Sequence, residues 1–226
     1  MNNIKRIYLL PDAEIDDLYE RPIFNKNEQH LYFELTQAEL DVLDQFRNLK
    51  TKVYLILQVA YFKAKSQFFT FQFEEVSSDV EYVLLKFFNK TGINLRGSIV
   101  RQTINQQKQI ILALFNYKDC STENIALIED HICELLRYYP KVHDAFRQLL
   151  TYLDNQKIII PTYRGLQDLF TNAFVRENKR LSLLLDLIPQ DKQKQLSELI
   201  SNEDGITQLN TIRFDQKNLV PSHLLK

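Results

Sequence analysis

Residues 31–69 read LYFELTQAELDVLDQFRNLKTKVYLILQVAYFKAKSQFF, and they decide the fold class. Thr36 and Glu39 stand three residues apart at the start of an apolar segment. This is the spacing of a capping box, in which each side chain accepts a hydrogen bond from the backbone N–H of the other residue. The box predicts a helix over residues 36–46. The more apolar residues 53–64 predict a second helix that is buried more deeply.

The rest of the chain also favours helices. The sequence holds four glycines and no tryptophan, and scarce glycine argues against a turn-rich β architecture. Ser78 and Glu81 repeat the capping-box spacing and predict a helix as far as Lys90, with Gly92 as its C-cap. Further helices are predicted over residues 98–116, 122–138, 140–154, 162–174 (extending toward 187) and 189–201, with an extended connector at 69–73 and weak order at 207–226. The predicted fold class is all-α and multi-helical.

Composition limits the class of protein. The formal net charge is −1, and the chain has two cysteines, Cys120 and Cys133. Two cysteines do not make a disulfide framework, so we expect reduced thiols. No charged-then-apolar leader opens the chain, and no apolar run is long enough to cross a bilayer. We therefore expect a cytoplasmic protein.

Charge is segregated along the chain. Residues 82–118 contain no acidic residue, six basic residues and many amide side chains. The basic residues are Lys86, Lys90, Arg96, Arg101, Lys108 and Lys118. Because a phosphate backbone repels carboxylates, the absence of acids is compatible with a nucleic-acid-binding surface.

The helix predicted over residues 98–116 has two different faces. At about 100° per residue, one face gathers apolar side chains and the other gathers one arginine and four amides, with Lys108 at the margin. The polar residues are Arg101, Gln102, Asn105, Gln106 and Gln109, and the apolar ones are Ile104, Ile111, Leu114 and Phe115. Arginine reads guanine edges, and asparagine or glutamine reads adenine edges, in the major groove. The alternative is a solvated helix face that happens to be rich in amides.

A second candidate helix begins after Pro161. Residues 162–174 place Arg164 and Gln167 on a polar side, and the preceding helix and turn are compatible with a helix-turn-helix arrangement. Asp168 on the same side counts against DNA binding. Pairs of helices joined by a loop are also common in any α-helical bundle, so this pattern is the weaker of the two.

Motifs of a catalytic or metal site are missing from the sequence. There is no Gly-x-Ser-x-Gly, no glycine-rich phosphate loop and no His-Glu-x-x-His. His131 and Cys133 would point to different faces of their helix, so we expect no metal site and no cofactor. The many phenylalanines, such as Phe68 and Phe69, most simply fill a core. A platform that stacks the bases of a single strand is the alternative.

Residues 31–69 resemble the N-terminal region of the Tn-three-type replicative transposases. The likeness rests on an aromatic pair before a capped helix, a basic link, and an apolar helix that ends in Tyr-Phe-Lys-Ala-Lys. It continues on both sides and covers nearly the whole chain. The other segments that carry it are residues 6–10, 14–15, 105–107, 110–111, 116–117, 158–163 and 166–167.

The resemblance implies sequence-specific binding to the terminal inverted repeats of a transposable element. It implies two tandem helical modules of helix-turn-helix-like character, residues 1–155 and 157–226, which would bind adjacent DNA segments. The family continues into further helical domains and a catalytic core with metal-binding carboxylates. The chain is therefore expected to be a fragment without a catalytic site. Expected partners are double-stranded DNA and the remaining transposase domains, with a homodimer in the full-length protein and no membrane.

These expectations assign roles to ten residues. For base-edge contacts we predict Arg101, Asn105, Gln109, Arg164 and Gln167. For phosphate contacts we predict Lys52, Arg96, Lys108, Arg176 and Arg180. Two other functions stay open: a helical protein-interaction module for transposase assembly or a host factor, and an enzyme, against which the missing motifs argue.

Overall fold

The computed structural model describes residues 7–200, 202–203 and 206–207. Within them the chain forms ten α-helices, a short 3₁₀ helix at Phe73–Val76 and one two-residue strand pair. The α-helices are α1 (Asp12–Tyr19), α2 (Lys26–Tyr32), α3 (Gln37–Leu43), α4 (Leu49–Lys65), α5 (Ser77–Phe88), α6 (Arg101–Phe115), α7 (Thr122–Tyr138), α8 (Val142–Asn155), α9 (Tyr163–Asp186) and α10 (Gln190–Ile200). The strands β1 (Asn202–Glu203) and β2 (Ile206–Thr207) pair antiparallel and were not predicted. The all-α prediction is confirmed apart from this pair, and the predicted weak order of residues 208–226 lies outside the described residues.

The capping box at the start of α3 is confirmed. The Thr36 hydroxyl accepts from the Glu39 backbone N–H at 3.4 Å, and the Glu39 carboxylate accepts from the Thr36 N–H at 2.7 Å. Thr162 caps α9 with one such bond and not a full box, since its hydroxyl accepts from the Gly165 N–H at 3.1 Å. Both helices begin where the sequence places a hydroxyl residue ahead of an apolar repeat.

The predicted capping box at Ser78 is wrong. The 3₁₀ helix Phe73–Val76 runs directly into α5, so Ser78 lies inside the helical segment and not at its start. Gln72 and Glu75 form the box instead, and the Glu75 carboxylate accepts from the Gln72 N–H at 2.9 Å. The capping-box spacing occurs twice within ten residues, and the pair nearer the N-terminus caps the start of the helical segment.

The predicted C-cap at Gly92 is also wrong. Asn89 ends α5 in the left-handed conformation, with φ at 50°, and Gly92 lies in the following loop. Asn116 ends α6 in the same way, with φ at 56°. Asparagine tolerates this region better than most residues, so it can take the position that we expected glycine to hold.

Helix α4 is buried on all sides. Residues 53–62 form an unbroken run of ten buried positions, as expected of a helix inside a core. Apart from two tyrosines, Gln58 is the one polar residue in this run. Its amide nitrogen donates to the Phe69 carbonyl at 2.6 Å and the Tyr54 hydroxyl at 2.9 Å. Helices α2, α3, α5 and α6 surround α4, and the predicted extended connector adds buried phenylalanines at positions 69, 71 and 73. These residues form the first core cluster.

A buried carboxylate joins α4 to its neighbours. Asp79 on α5 accepts from the Tyr61 hydroxyl at 2.7 Å and from the Gln29 amide at 2.8 Å. The Arg21 guanidinium lies 3.9 Å from the same carboxylate. Burial, followed by the charge of Asp79, raises the pKa of Tyr61. The tyrosine therefore keeps its proton and acts as a donor to the carboxylate.

A second core cluster brings residues near the N-terminus together with residues of α7, α8 and α9. It consists of apolar residues from α7, α8 and the first part of α9, together with Leu9 and Leu10 from the N-terminal segment. The Tyr163 hydroxyl accepts from the backbone N–H groups of Leu9 and Leu10 at 3.2 and 3.3 Å. The N-terminal segment is thus held by residues more than 150 positions away.

The two clusters belong to one compact unit that runs to Phe174, and a second unit begins at Val175. The connector before α7 and the connector before α9 form a parallel bridge at Lys118 and Ile158. Contacts therefore group residues 163–174 with the chain before residue 155. A functional division between modules 1–155 and 157–226 stays a prediction. In the part of the chain that the structure describes, no helix has the length and apolar character needed to span a membrane.

We expect Tyr163→Phe to lower the free energy of unfolding by about 1–3 kcal/mol, because it leaves two buried N–H groups without an acceptor. Urea unfolding followed by circular dichroism measures this. Tyr138→Phe is the matched control, since Tyr138 is 79% exposed, and it should change little. Equal unfolding free energies for the two variants would contradict the assigned role of Tyr163.

Candidate nucleic-acid interface

Helix α6 presents its polar face to solvent. The buried side chains of Ile111 and Leu112 anchor the helix to the first core cluster. The Gln107 amide nitrogen also donates to the Thr51 carbonyl at 2.9 Å, which ties α6 to the start of α4. The exposed residues on the opposite side are Arg101, Gln102, Asn105, Gln106 and Gln109. The two faces that the sequence predicts are therefore confirmed, although Gln107 was not foreseen as buried.

Among the residues that the structure describes, no carboxylate forms an ion pair with the cations of this surface. Arg101 and Arg96 are exposed, and neither forms an ion pair among the described residues. When the Asn94 amide is turned so that its oxygen faces Arg96, this oxygen accepts from the Arg96 Nε at 3.3 Å and Nη2 at 3.2 Å. Lys108 lies with its ammonium 5.3 Å from the centre of the Phe68 ring. The exposed guanidinium groups of Arg96 and Arg101 therefore give this surface a positive charge.

The loop before α6 is held by a lysine from α4. The Lys50 ammonium donates to the Ser98 carbonyl at 3.1 Å and lies 5.7 Å from the centre of the Phe73 ring. Gly97, with φ at 76°, makes the turn beside it in a conformation that residues with a Cβ rarely adopt. The N-cap residue Val100 supplies no side-chain hydrogen bond to α6. The first backbone N–H groups of this helix therefore keep their capacity to donate.

The start of α9 has fewer side chains available for base contacts than the sequence predicts. Arg164 is exposed at its first turn. The Gln167 amide nitrogen donates to the Ile7 carbonyl at 3.0 Å. This side chain therefore already holds the N-terminal segment, whereas we predicted a base contact. Asp168 shares the exposed side of the helix with Arg164.

The remaining predicted phosphate contacts lie elsewhere and differ in their partners. The Lys52 ammonium lies 3.4 Å from the Asp44 carboxylate on the first unit. In the second unit, Arg180 forms an ion pair with Glu177 at 2.6 Å, and Arg176 is exposed. Within the first unit, the structure places Arg101, Asn105, Gln109 and Lys108 on one helix and Arg96 in the loop before it.

A cleft of about 460 Å³ opens beside Lys108, and sequence analysis did not identify it. We call it the Phe68 cleft, after the ring that lines it. Its other walls come from Tyr19, Gln67, Cys120 and the connector before α9. Phe68 differs from the buried Phe69, Phe71 and Phe73 because it is only partly buried. The alternating pattern of residues 69–73 accounts for the buried rings at 69, 71 and 73. It does not predict the position of the Phe68 ring, which precedes the pattern.

The Cys120 thiol in this cleft is protonated near neutral pH. Burial raises its pKa to about 11, and the neighbouring Asp119 carboxylate adds to the effect. Because only the thiolate is nucleophilic, about one thiol in a thousand would be reactive at pH 8. We expect alkylation of Cys120 by iodoacetamide to accelerate by about tenfold per pH unit from pH 8 to 10.

Mass spectrometry of the alkylated peptide measures this rate. The Cys120→Ser protein is the control, since any label that it takes up reports on the buried Cys133. A rate that levels off below pH 9 would show that the Cys120 pKa is not raised.

The family model described as "Domain of unknown function (DUF4158)" matches residues 9–173, which is more than half of the chain. No curated protein matches the sequence.

Proposed function

We propose that this chain, which belongs to the DUF4158 family, binds double-stranded DNA through the exposed face of α6. The observation that carries this proposal is a solvent-exposed helix face with one arginine, four amides and no carboxylate. The acid-free segment extends from residue 82 to residue 118 on both sides of this helix. A surface so depleted of acids can approach phosphates without repulsion.

Three residues of this face form a line along the helix. Arg101, Asn105 and Gln109 are spaced four residues apart, so they span about 12 Å at roughly 1.5 Å per residue. This corresponds to about three to four base pairs of a duplex. Arginine can pair with guanine, and asparagine and glutamine can pair with adenine, through two hydrogen bonds each. We propose that this line enters the major groove and reads bases there.

The flanks of α6 would hold the phosphate backbone. Arg96 before the helix and Lys108 at its margin are the cations in position, and contacts of this kind set the register without reading sequence. The uncapped first turn of α6 adds backbone donors that favour an anion. Lys52 would need to exchange its Asp44 partner for a phosphate, so we rank it lower.

The second proposed contact region is α9, with α8 before it in a helix-turn-helix-like pair. Arg164 is its base-contact candidate in the first unit. Gln167 would have to release the Ile7 carbonyl to reach a base, so its main role in this proposal is to hold the N-terminal segment. In the second unit, Arg176 and Arg180 are the proposed phosphate contacts.

The likeness to Tn-three-type transposases supports a role for this binding in transposition. We propose that the chain recognises the terminal inverted repeats of its element, in the cytoplasm, and carries no catalytic site of its own. The remaining transposase domains would supply the chemistry, and the full-length protein would act as a homodimer.

An alternative function is a protein-interaction module. The observation that favours it is a run of exposed leucines in the second unit: Leu183, Leu184, Leu185 and Leu187. Exposed apolar side chains that adjoin one another are typical of protein contacts. Binding through such a surface would depend little on salt, whereas binding to phosphates weakens steeply as salt rises.

Selection from a random duplex pool, followed by fluorescence anisotropy at two salt concentrations, tests the proposal. We expect Arg101→Ala to weaken binding to the selected duplex by about 5- to 150-fold, because a bidentate base contact contributes about 1–3 kcal/mol. Binding to a scrambled duplex should fall much less. Lys141→Ala, at an exposed lysine outside the acid-free segment, is the control.

Two outcomes would contradict the proposal. One is that the pool yields no preferred sequence and the wild-type protein binds both duplexes equally weakly. The other is self-association that does not depend on salt, without any DNA binding, which would favour the interaction module.

A further inference from the structure

The Phe68 cleft combines an apolar wall with two polar groups that a ligand can reach, an amide oxygen and an ammonium. Its apolar surface comes from Phe68, Tyr19 and the isoleucines of the connector before α9. Its volume of about 460 Å³ lies within the roughly 300–1,000 Å³ that is typical of ligand pockets. Helix α6 contributes Lys108 to the rim, so the cleft adjoins the proposed DNA-binding face.

One polar group is the Gln67 amide oxygen. Gln67 is only 7% exposed, and its amide nitrogen donates to the Leu18 carbonyl at 3.0 Å. The oxygen of the same amide has no hydrogen bond among the described residues. This oxygen is open to the cleft and not sealed from water, so an N–H group of a ligand can donate to it there.

The other polar group is the Lys108 ammonium. It lies 5.3 Å from the centre of the Phe68 ring, and no carboxylate pairs with it in the described part of the chain. The hydroxyl of Tyr19 and the thiol of Cys120 are already used, since they donate to the Pro161 carbonyl at 2.9 Å and the Ile159 carbonyl at 3.4 Å. The cleft therefore presents one acceptor and one cation.

We propose that the Phe68 cleft binds one unstacked nucleotide of a DNA strand. The base would replace the Lys108 ammonium against the Phe68 ring, an N–H group of the base would donate to the Gln67 oxygen, and the displaced Lys108 would contact a phosphate. A nucleobase combines a flat apolar face with N–H donors at its edge, and an adjoining phosphate supplies the anion. Stacking on an aromatic side chain accepts any base, and a base enters such a pocket after leaving the duplex.

The inference rests on the proposed DNA binding and extends it to a different kind of contact. The face of α6 would hold a paired duplex, whereas the Phe68 cleft would accept a base that is not paired. Lys108 borders both surfaces, so a strand that follows the α6 face would reach the cleft at this lysine.

A pair of duplexes tests the inference: one fully paired, and one of the same sequence with a single unpaired nucleotide. We expect the wild-type protein to bind the second more tightly by about 5- to 150-fold, the effect of stacking one base. Cys120→Phe should fill the cleft and remove this difference while leaving binding to the paired duplex unchanged. Cys120→Ser is the matched control and should keep the difference.

A second variant guards against misfolding. Phe68→Leu keeps the site apolar but removes the aromatic surface, and it should also lose the preference for the unpaired nucleotide. Circular dichroism checks that both variants are folded.

The outcomes separate the two proposals. If the wild-type protein binds both duplexes equally, or if Cys120→Phe keeps the preference, the inference is overturned and the proposed DNA binding stands. If neither duplex binds, the proposed DNA binding fails and the inference fails with it. An arm with adenosine monophosphate distinguishes the source of the nucleotide. Binding of that compound without any preference for the unpaired site would overturn the inference in favour of a free nucleotide.

Discussion

The burial of α4 on all sides constrains the rest of the first core cluster. A helix without a solvent side must find internal partners for its polar groups. Gln58 therefore needs the Phe69 carbonyl, and Tyr61 needs the Asp79 carboxylate. These contacts decide where the extended connector passes and in which register α5 packs. Helix α6 packs Ile111 and Leu112 against this core, and its polar side remains in solvent.

The sequence predicts features that depend on neighbouring residues and misses those that depend on distant ones. The box of Thr36 and Glu39 is local, so it could be identified from spacing alone. Ser78 fits the same spacing, but the turn that precedes α5 makes its position internal. Gln107 and Gln167 look like surface amides in the sequence. Their carbonyl partners lie 56 and 160 residues away, which no local pattern can reveal.

The same difference between local and distant contacts decides which parts of the candidate site could be predicted. The exposed face of α6 could be predicted because a helical period separates polar from apolar residues on one element. The Phe68 cleft could not, because it is made from five separate segments that only the packing of both core clusters brings together. Its ring, its buried amide and its lysine come from different elements, and each alone resembles an ordinary residue.

The attachment of Leu9 and Leu10 to Tyr163 has a consequence for the order of folding during synthesis. The buried residues of the first core cluster are complete at Leu112, whereas the N-terminal segment cannot find its acceptor until Tyr163 has been made. At roughly 5–20 residues per second, the intervening chain takes about 3–10 seconds to synthesise. During that interval the apolar side chains of Leu9 and Leu10 are without their final contacts.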